Sequence, residues 1–154
     1  MKRTEIIAAL KEYFGIQELV CKHTYQKFGD RAWQFLDTEL LHTLLVLRRD
    51  VFKASMIVNN WNQGGSFSQR GLRCNICQLV SDKTKKNSIY LSAHCNGAGV
   101  DFDVSGLSAE AARKRIIEHQ SLLPYPIRLE EAVTWVHIDI YDLCNGKVIN
   151  TFKG

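Results

Sequence analysis

The apolar residues change their spacing near Lys53, and this change limits the fold more than any other feature of the chain. Before Lys53 they recur every three or four positions, which indicates helices with one buried face. The predicted helices cover 5–14, 16–28 and 39–52. After Lys53, short apolar runs and strict alternation indicate strands. The predicted strands cover 55–61, 100–104 and 133–141. Helices followed by strands predict an α+β fold.

The second half of the chain contains one further helix signal and one turn signal. Ser108 is a good N-cap residue for a helix that runs to about Gln120. Asn145-Gly146 favours a tight turn, which predicts a terminal hairpin. This hairpin is expected to cover 138–152. The polar, lysine-rich segment 81–88 is expected to be a solvated loop.

The expected domain organisation follows from the length and the order of these elements. A chain of 154 residues corresponds to one domain, 1–154. Its first part, 1–53, supplies mainly helices, and 54–154 supplies mainly strands with one helix. We expect the helices to pack on a mainly antiparallel sheet.

Charge and cysteine content limit the possible partners. Twenty Lys and Arg residues against 16 Asp and Glu give a net charge of +4, too small an excess to indicate a nucleic-acid partner. No apolar run approaches the roughly 20 residues that span a bilayer, and no signal-peptide core is present. Five irregularly spaced cysteines do not fit a secreted disulfide framework. We expect a monomer made in the cytoplasm that neither inserts into membranes nor binds nucleic acid.

A glycine-containing stretch brings two potential metal ligands near each other. His94 precedes a turn that Gly97 and Gly99 permit, and Asp101 enters the next strand. His137, on a separate predicted strand, can supply a third ligand from across the sheet. Two histidines and one carboxylate leave a fourth position open, which is typical of catalytic zinc sites. The alternative is that the histidines are ordinary core residues.

Three motifs in the second half resemble those of a known family. Segment 92–101, SAHCNGAGVD, resembles the S-x-H-x-x-G-x-A-x-D signature of the D-alanyl-D-alanine carboxypeptidase-like zinc peptidases. Segment 135–139, WVHID, resembles the family's W-x-H-x-D strand, and 70–73, RGLR, resembles its S-G-Y-R segment. Gly99 stands where the family often has alanine. The family includes D-Ala-D-Ala dipeptidases, carboxypeptidases and phage endolysins, and it shares its fold with the hedgehog signalling domain.

The resemblance implies a role for each matching residue. The implied Zn²⁺ ligands are His94, Asp101 and His137. Arg73 would hold the carboxylate of a peptide substrate, a task that suits a bidentate guanidinium, with Arg70 as a nearby substitute. Solvated surface charge is the alternative for both arginines. Ser92 would share a strand face with His94 and hydrogen-bond to the substrate; simple polarity at a strand edge is its alternative.

A zinc peptidase also needs a carboxylate that takes a proton and returns it to the leaving amine. Many family members carry an acid three residues before the last histidine, where this chain has threonine. Glu131 lies six residues before His137 and would share its face on a continuous strand, whereas Glu130 would point away. The hedgehog domain is similar in having a glutamate at this offset. We predict Glu131 as the general base, with Asp103 and Asp139 as alternatives or as residues that orient the ligands.

Cys74 and Cys77 form a C-x-x-C pair. A thiolate zinc site or a redox pair is one interpretation. A structural zinc site commonly uses a second C-x-x-C, which this chain lacks, and a thioredoxin-like pair follows a strand in a parallel unit. We therefore interpret the two cysteines as helix-packing residues.

These expectations lead to a specific function. We expect a zinc peptidase that hydrolyses D-amino-acid-containing peptides of bacterial peptidoglycan, as a carboxypeptidase or an endopeptidase. A small domain without a signal peptide would be a phage or prophage endolysin that reaches the cell wall after release from the cytoplasm. The alternative is a non-catalytic zinc-binding module on the same fold, with a structural or binding role.

Overall fold

A computed structural model describes residues 1–154 and has an α+β fold. The α-helices are α1 (Arg3–Leu10), α2 (Ile16–Leu19), α3 (Lys22–Phe28), α4 (Thr38–Val46), α5 (Gln78–Lys85) and α6 (Ala109–Glu118). The strands are β1 (Met56–Ile57), β2 (Gly99–Val104), β3 (Ile127–Glu131), β4 (Val136–Asp139) and β5 (Ile149–Lys153). Short 3₁₀ segments cover Gly29–Phe35, Trp61–Gln63, Ala93–Asn96 and Gln120–Leu122, and a π-helical segment covers Leu47–Phe52.

The leucine-rich helix α4 is the centre of the helical layer. The Asp37 side chain caps it by accepting a hydrogen bond from the Glu39 backbone N–H at 2.7 Å. Its apolar residues are buried, and the helical path continues through the π-helical segment to Phe52. Lys53, with φ +53°, ends it in the left-handed region. The helix predicted over 39–52 is therefore confirmed.

The helix predicted over 16–28 is divided into α2 and α3. Val20 and Cys21 lie between the two pieces, where Val20 forms a parallel bridge with Leu72. The Cys21 N–H donates to the Leu72 carbonyl at 2.9 Å. This pairing with a distant segment outweighs local helix propensity at these two residues.

The sheet is mixed, in the order β1-β2-β4-β3-β5. Three pairings are antiparallel, and β5 lies parallel to β3. The predicted terminal hairpin is therefore wrong, because β2 and β3 already occupy both edges of β4. The final strand can add only at the free edge of β3.

One helix lies where the sequence predicted a solvated loop. Helix α5 covers much of segment 81–88 and buries none of its own residues. Lys83 and Lys85 lie in its last turn, where positive charge is favourable next to the helix carbonyl end. The region 54–154 therefore contains two α-helices rather than one. None of the helices has the length and apolar character needed to cross a bilayer.

The two faces of the sheet differ in chemistry. One face joins a core of 29 buried apolar residues that extends through the helical layer. Phe102 and Ile138 belong to this core, and α6 packs against β2 and β4. Alternation along these strands places Asp101 and His137 on the opposite face. The site described below is built on that face.

Candidate metal centre

His94, Asp101 and His137 meet on the polar face of the sheet, and all three are buried. Asp101 and His137 are directly paired residues of β2 and β4. Nδ1 of His137 lies 2.7 Å from Asp101 Oδ1 and 3.3 Å from Nε2 of His94. His94 Nε2 lies 3.4 Å from Asp101 Oδ2. The structure thus brings together the three predicted ligands.

A tight turn carries His94 to the strands. His94 belongs to the 3₁₀ segment Ala93–Asn96, and the Ser92 hydroxyl accepts its backbone N–H at 3.3 Å. Gly97 ends the segment with φ +66°, and a Cβ there would collide with the Phe35 carbonyl oxygen. Ser92 is therefore an N-cap residue rather than part of a strand, although it lines the cavity next to the cluster.

Hydrogen bonds at the outer ring nitrogens fix how both imidazoles face the centre. His94 Nδ1 lies 2.9 Å from the Gly71 carbonyl, and His137 Nε2 lies 3.2 Å from Asp139 Oδ2. These nitrogens therefore carry hydrogens and donate them. The lone pairs of His94 Nε2 and, once deprotonated, His137 Nδ1 point toward Asp101. Outer hydrogen bonds of this kind are typical of metal-binding histidines.

The charges of the cluster are strongly coupled. Burial alone would lower the pKa of His137, but its hydrogen bonds with Asp101 and Asp139 outweigh burial and raise the pKa to about 9. Burial would raise the pKa of Asp101, but hydrogen bonds from the two histidines hold it well below its usual range. The proton on His137 Nδ1 is therefore shared with Asp101 Oδ1. It lies between the same two atoms that would bind a metal ion.

The donor set fits a metal ion. In a tetrahedral site with bonds of about 2.0–2.1 Å, nitrogen and oxygen ligands stand about 3.3 Å apart. The distances from His94 Nε2 to its two partners, 3.3 and 3.4 Å, match this value. The third distance, from His137 Nδ1 to Asp101 Oδ1, is 2.7 Å, the length of the hydrogen bond that an ion would replace. The three residues could therefore hold a metal ion and leave one coordination position for a substrate or water.

An open cavity of about 420 Å³ adjoins the cluster. Besides the three potential ligands, its lining includes side chains for which the sequence predicted no role at the site, among them Tyr90, Arg128, Glu130, Trp135 and Phe152. Arg128 binds both oxygens of Asp139 at 2.8 Å and lies over the Phe152 ring. The alternation of apolar and charged residues in β3 indicates that Arg128 lies on the polar face. Only the pairing of Arg128 with Asp139 shows that this face is the one that carries His137.

The two predicted substrate-binding arginines have different positions. Arg73 lines the cavity, donates to Tyr90 Oη at 2.8 Å and lies 3.2 Å from Asp101 Oδ2. Arg70 does not line it. Its guanidinium pairs with Asp103 at 2.6 Å and stacks on Phe67. The structure places Arg73 at the candidate centre and ties Arg70 and Asp103 to each other outside the cavity.

The structure does not bring Glu131 to the centre. Strands β3 and β4 pair Arg128 with Asp139, so Glu130, not Glu131, follows on the face that carries His137. Glu130 lines the metal-centre cavity, whereas Glu131 lines a separate cavity beside α6. The prediction assumed one continuous strand from Glu131 to His137. That assumption is wrong, because β3 ends at Glu131 and a turn precedes β4.

Arg113 of α6 stabilises that turn. Its guanidinium donates to the carbonyls of Val133 at 3.1 Å and Trp135 at 2.9 Å. Ala132 lies between the strands with φ +63°. Cross-strand pairing, not the number of residues before His137, therefore decides which side chains of β3 lie on the same face as His137.

No model of a known protein family, no curated protein and no solved structure matches this chain. The resemblance to zinc peptidases stays a prediction.

A second group of potential ligands includes the C-x-x-C pair. Cys21 and His23 lie beside Cys74 and Cys77, with all four donor atoms within 4.8 Å of one another. The helix-packing interpretation of these two cysteines therefore has a structural alternative, a group of four potential ligands. A second C-x-x-C is absent, and the further potential ligands come from a C-x-H segment about 50 residues upstream.

Proposed function

We propose that the protein is a zinc-dependent peptidase that hydrolyses D-amino-acid-containing peptides of bacterial peptidoglycan, as an endolysin-like enzyme. The observation that carries this proposal is the convergence of His94, Asp101 and His137 beside an open cavity. Zn²⁺ bound by these residues would polarise the scissile carbonyl and lower the pKa of a water molecule. Three protein ligands and one open position are typical of catalytic zinc sites.

The cavity lining supports a peptide substrate with carboxylate groups. Arg73 and Arg128 supply guanidinium groups, which bind carboxylates in bidentate geometry. Ile89 and Leu91 are largely exposed at the same cavity and offer apolar contacts for small side chains such as alanine methyl groups. We assign carboxylate binding to Arg73 because it matches the arginine of the family motif and is held at the cavity by the Gln69 carbonyl, Tyr90 and Asp101. Arg128 binds Asp139 through two hydrogen bonds and is assigned to hold that carboxylate. The Ser92 hydroxyl is a further candidate hydrogen-bond partner for the peptide backbone.

Glu130 is the carboxylate placed to move the proton. It lies on the cluster side of β3 and lines the cavity next to Gly154. In the proposed reaction, a Glu130 carboxylate oxygen takes the proton of the attacking water and passes it to the leaving amine. Asp139 is bound by Arg128 and His137, so it serves as a positioning residue and does not exchange protons with the substrate.

The experiment compares wild type with three variants on purified peptidoglycan. Bound zinc and the release of new amino groups are measured for His137→Ala, Glu130→Gln and Glu131→Gln. We expect His137→Ala to lose one equivalent of zinc and all activity. Glu130→Gln should keep its zinc and lose at least about 100-fold in turnover. Glu131→Gln is the matched control and should keep both.

Two results would change the proposal. A wild-type protein that holds zinc but releases no amino groups is a metal-binding module with a structural or binding role. Equal activity of Glu130→Gln and wild type would remove Glu130 from the mechanism while leaving peptidase function intact.

A further inference from the structure

A second cluster of soft ligands lies where α3 and α5 begin. Cys21 and His23 come from the start of α3, and Cys74 and Cys77 come from the turn before α5. The Cys74 Sγ lies 3.5 Å from His23 Nδ1 and 3.7 Å from the Cys77 Sγ. The Cys77 Sγ lies 3.8 Å from His23 Nδ1. The Cys21 Sγ joins this group, in which all four donor atoms lie within 4.8 Å of one another.

The three separations among Cys74, Cys77 and His23 match edges of a tetrahedral zinc site. With Zn–S bonds of about 2.3 Å and Zn–N bonds of about 2.0–2.1 Å, sulfur atoms stand about 3.8 Å apart and sulfur–nitrogen pairs about 3.6 Å apart. The observed sulfur–sulfur distance is 3.7 Å, and the sulfur–nitrogen distances are 3.5 and 3.8 Å. All five cysteines are free thiols in the structure. The spacing therefore suits a shared ion.

The backbone brings the two halves of the cluster together without a metal. Leu72 donates its N–H to the Leu19 carbonyl, and the Cys21 N–H donates to the Leu72 carbonyl, both at 2.9 Å. Gly71 permits this close approach, because a Cβ there would collide with the Leu19 carbonyl oxygen. The C-x-H segment and the C-x-x-C turn are thus held in fixed register, which prearranges the ligands.

We propose that Cys21, His23, Cys74 and Cys77 form a structural zinc site. Three thiolates and one imidazole are a common structural zinc set. They fill all four tetrahedral positions and leave none for a substrate, in contrast to the three-ligand centre. Cys77 is also the N-cap residue of α5, which fixes its backbone at the start of that helix.

The segment between Gly71 and Cys74 connects the proposed structural zinc site to the candidate metal centre. The Gly71 carbonyl accepts from His94 Nδ1, and the Arg73 N–H donates to the His94 carbonyl at 3.1 Å. The Arg73 guanidinium reaches Asp101. A zinc ion anchored at Cys74 would hold this segment in place, so the four residues position the centre rather than contact substrate.

The experiment counts metal in the full-length chain and uses Co²⁺ as a spectroscopic probe. Wild type should bind two equivalents of zinc, and the cobalt form should show ultraviolet cobalt–thiolate charge-transfer absorption. Cys74→Ser should lose one equivalent and most of this absorption. His137→Ala should lose the other equivalent and keep the absorption. Cys144→Ser, which changes an exposed cysteine outside the cluster, should match wild type.

The proposal remains testable if a cysteine variant fails to fold. The wild-type cobalt spectrum needs no substitution, and His23→Asn changes a solvent-exposed side chain. We expect His23→Asn to bind the second ion at least about tenfold more weakly. Absence of thiolate absorption in cobalt-loaded wild type, or a Cys74–Cys77 disulfide that persists in protein purified in the presence of a reductant, would overturn the site. Thiolate absorption without peptidoglycan hydrolysis would retain this site and reject only the peptidase proposal.

Discussion

The Asp139 carboxylate is completely buried and accepts a hydrogen bond from His137 Nε2 at 3.2 Å. Arg128 binds both of its oxygens, which fixes the carboxylate and, through it, the His137 ring. Burial would raise the pKa of Asp139, but hydrogen bonds from His137 and Arg128 hold it below its usual value. Asp139 thus stays charged next to Nε2 of His137, while Nδ1 of the same ring faces the candidate metal position.

Replacement of Asp139 by asparagine should weaken metal binding. The change removes the negative charge that orients His137 and raises its basicity, so we expect a 10–100-fold lower affinity at this centre. A competition titration with a chromophoric chelator measures the effect. Asp103→Asn is the matched control, because Asp103 pairs with Arg70 outside the cavity. Equal affinities of the two variants would contradict the assigned role of Asp139.

Metal-free protein should lose stability as the pH rises from 6.5 to 9. The folded-state pKa of His137 is raised from 6.5 to about 9, so its contribution is complete below pH 6.5 and disappears as pH passes 9. The corresponding loss is about 3 kcal/mol of unfolding free energy. Urea unfolding in the presence of a chelator measures it, and His137→Gln should lack this component. An identical pH profile for both proteins would disprove the linkage.

Acidic conditions should destabilise the same cluster for the opposite reason. The folded-state pKa values of Asp101 and Asp139 are lowered, so their stabilisation is present above the unfolded carboxyl pKa, about 3.9. It is lost as the pH falls below that value. The contribution of this cluster to the stability of the metal-free protein should therefore be largest between about pH 4 and 6.5, which the same unfolding series tests.

Arg73→Lys should impair binding of the peptide substrate. Lysine keeps the positive charge but cannot form a bidentate pair, so we expect KM for a wall peptide to rise about tenfold with zinc content unchanged. Steady-state kinetics with a defined peptide measure the change. Arg70→Lys alters an arginine outside the cavity and should leave KM near the wild-type value. A larger effect at Arg70 would reverse the assignment.

Gly97→Ala should destabilise the turn that carries His94. The glycine has φ +66°, and an added Cβ would collide with the Phe35 carbonyl oxygen. Left-handed strain and overpacking together should cost about 3 kcal/mol. Gly106→Ala measures the backbone strain without the collision, because Gly106 has φ +78° and open space around its Cβ position. We expect about 1 kcal/mol there from urea unfolding, and equal costs would show that the collision is relieved.

Local patterns predicted much of the helical layer and the three potential ligands of the candidate metal centre. The Leu-rich periodicity of 39–52 and the Ser108 cap correspond to α4 and α6, because periodicity and capping act within a few residues. His94, Asp101 and His137 were identified from residue type and from turn chemistry around Gly97. Their spacing indicated that they could meet but not how their rings would be held.

The sequence by itself determined helices α4 and α6, the alternation of β2 and the candidate ligands, since each depends on neighbours along the chain. Only the tertiary structure decided which glutamate faces the cavity, where β5 joins the sheet and which residues complete the Cys74–Cys77 pair. Glu130 replaces Glu131 because strand pairing, not sequence distance, sets the face. Cys21 reaches Cys77 because the bridge between Val20 and Leu72 joins distant segments, and such long-range contacts leave no local pattern.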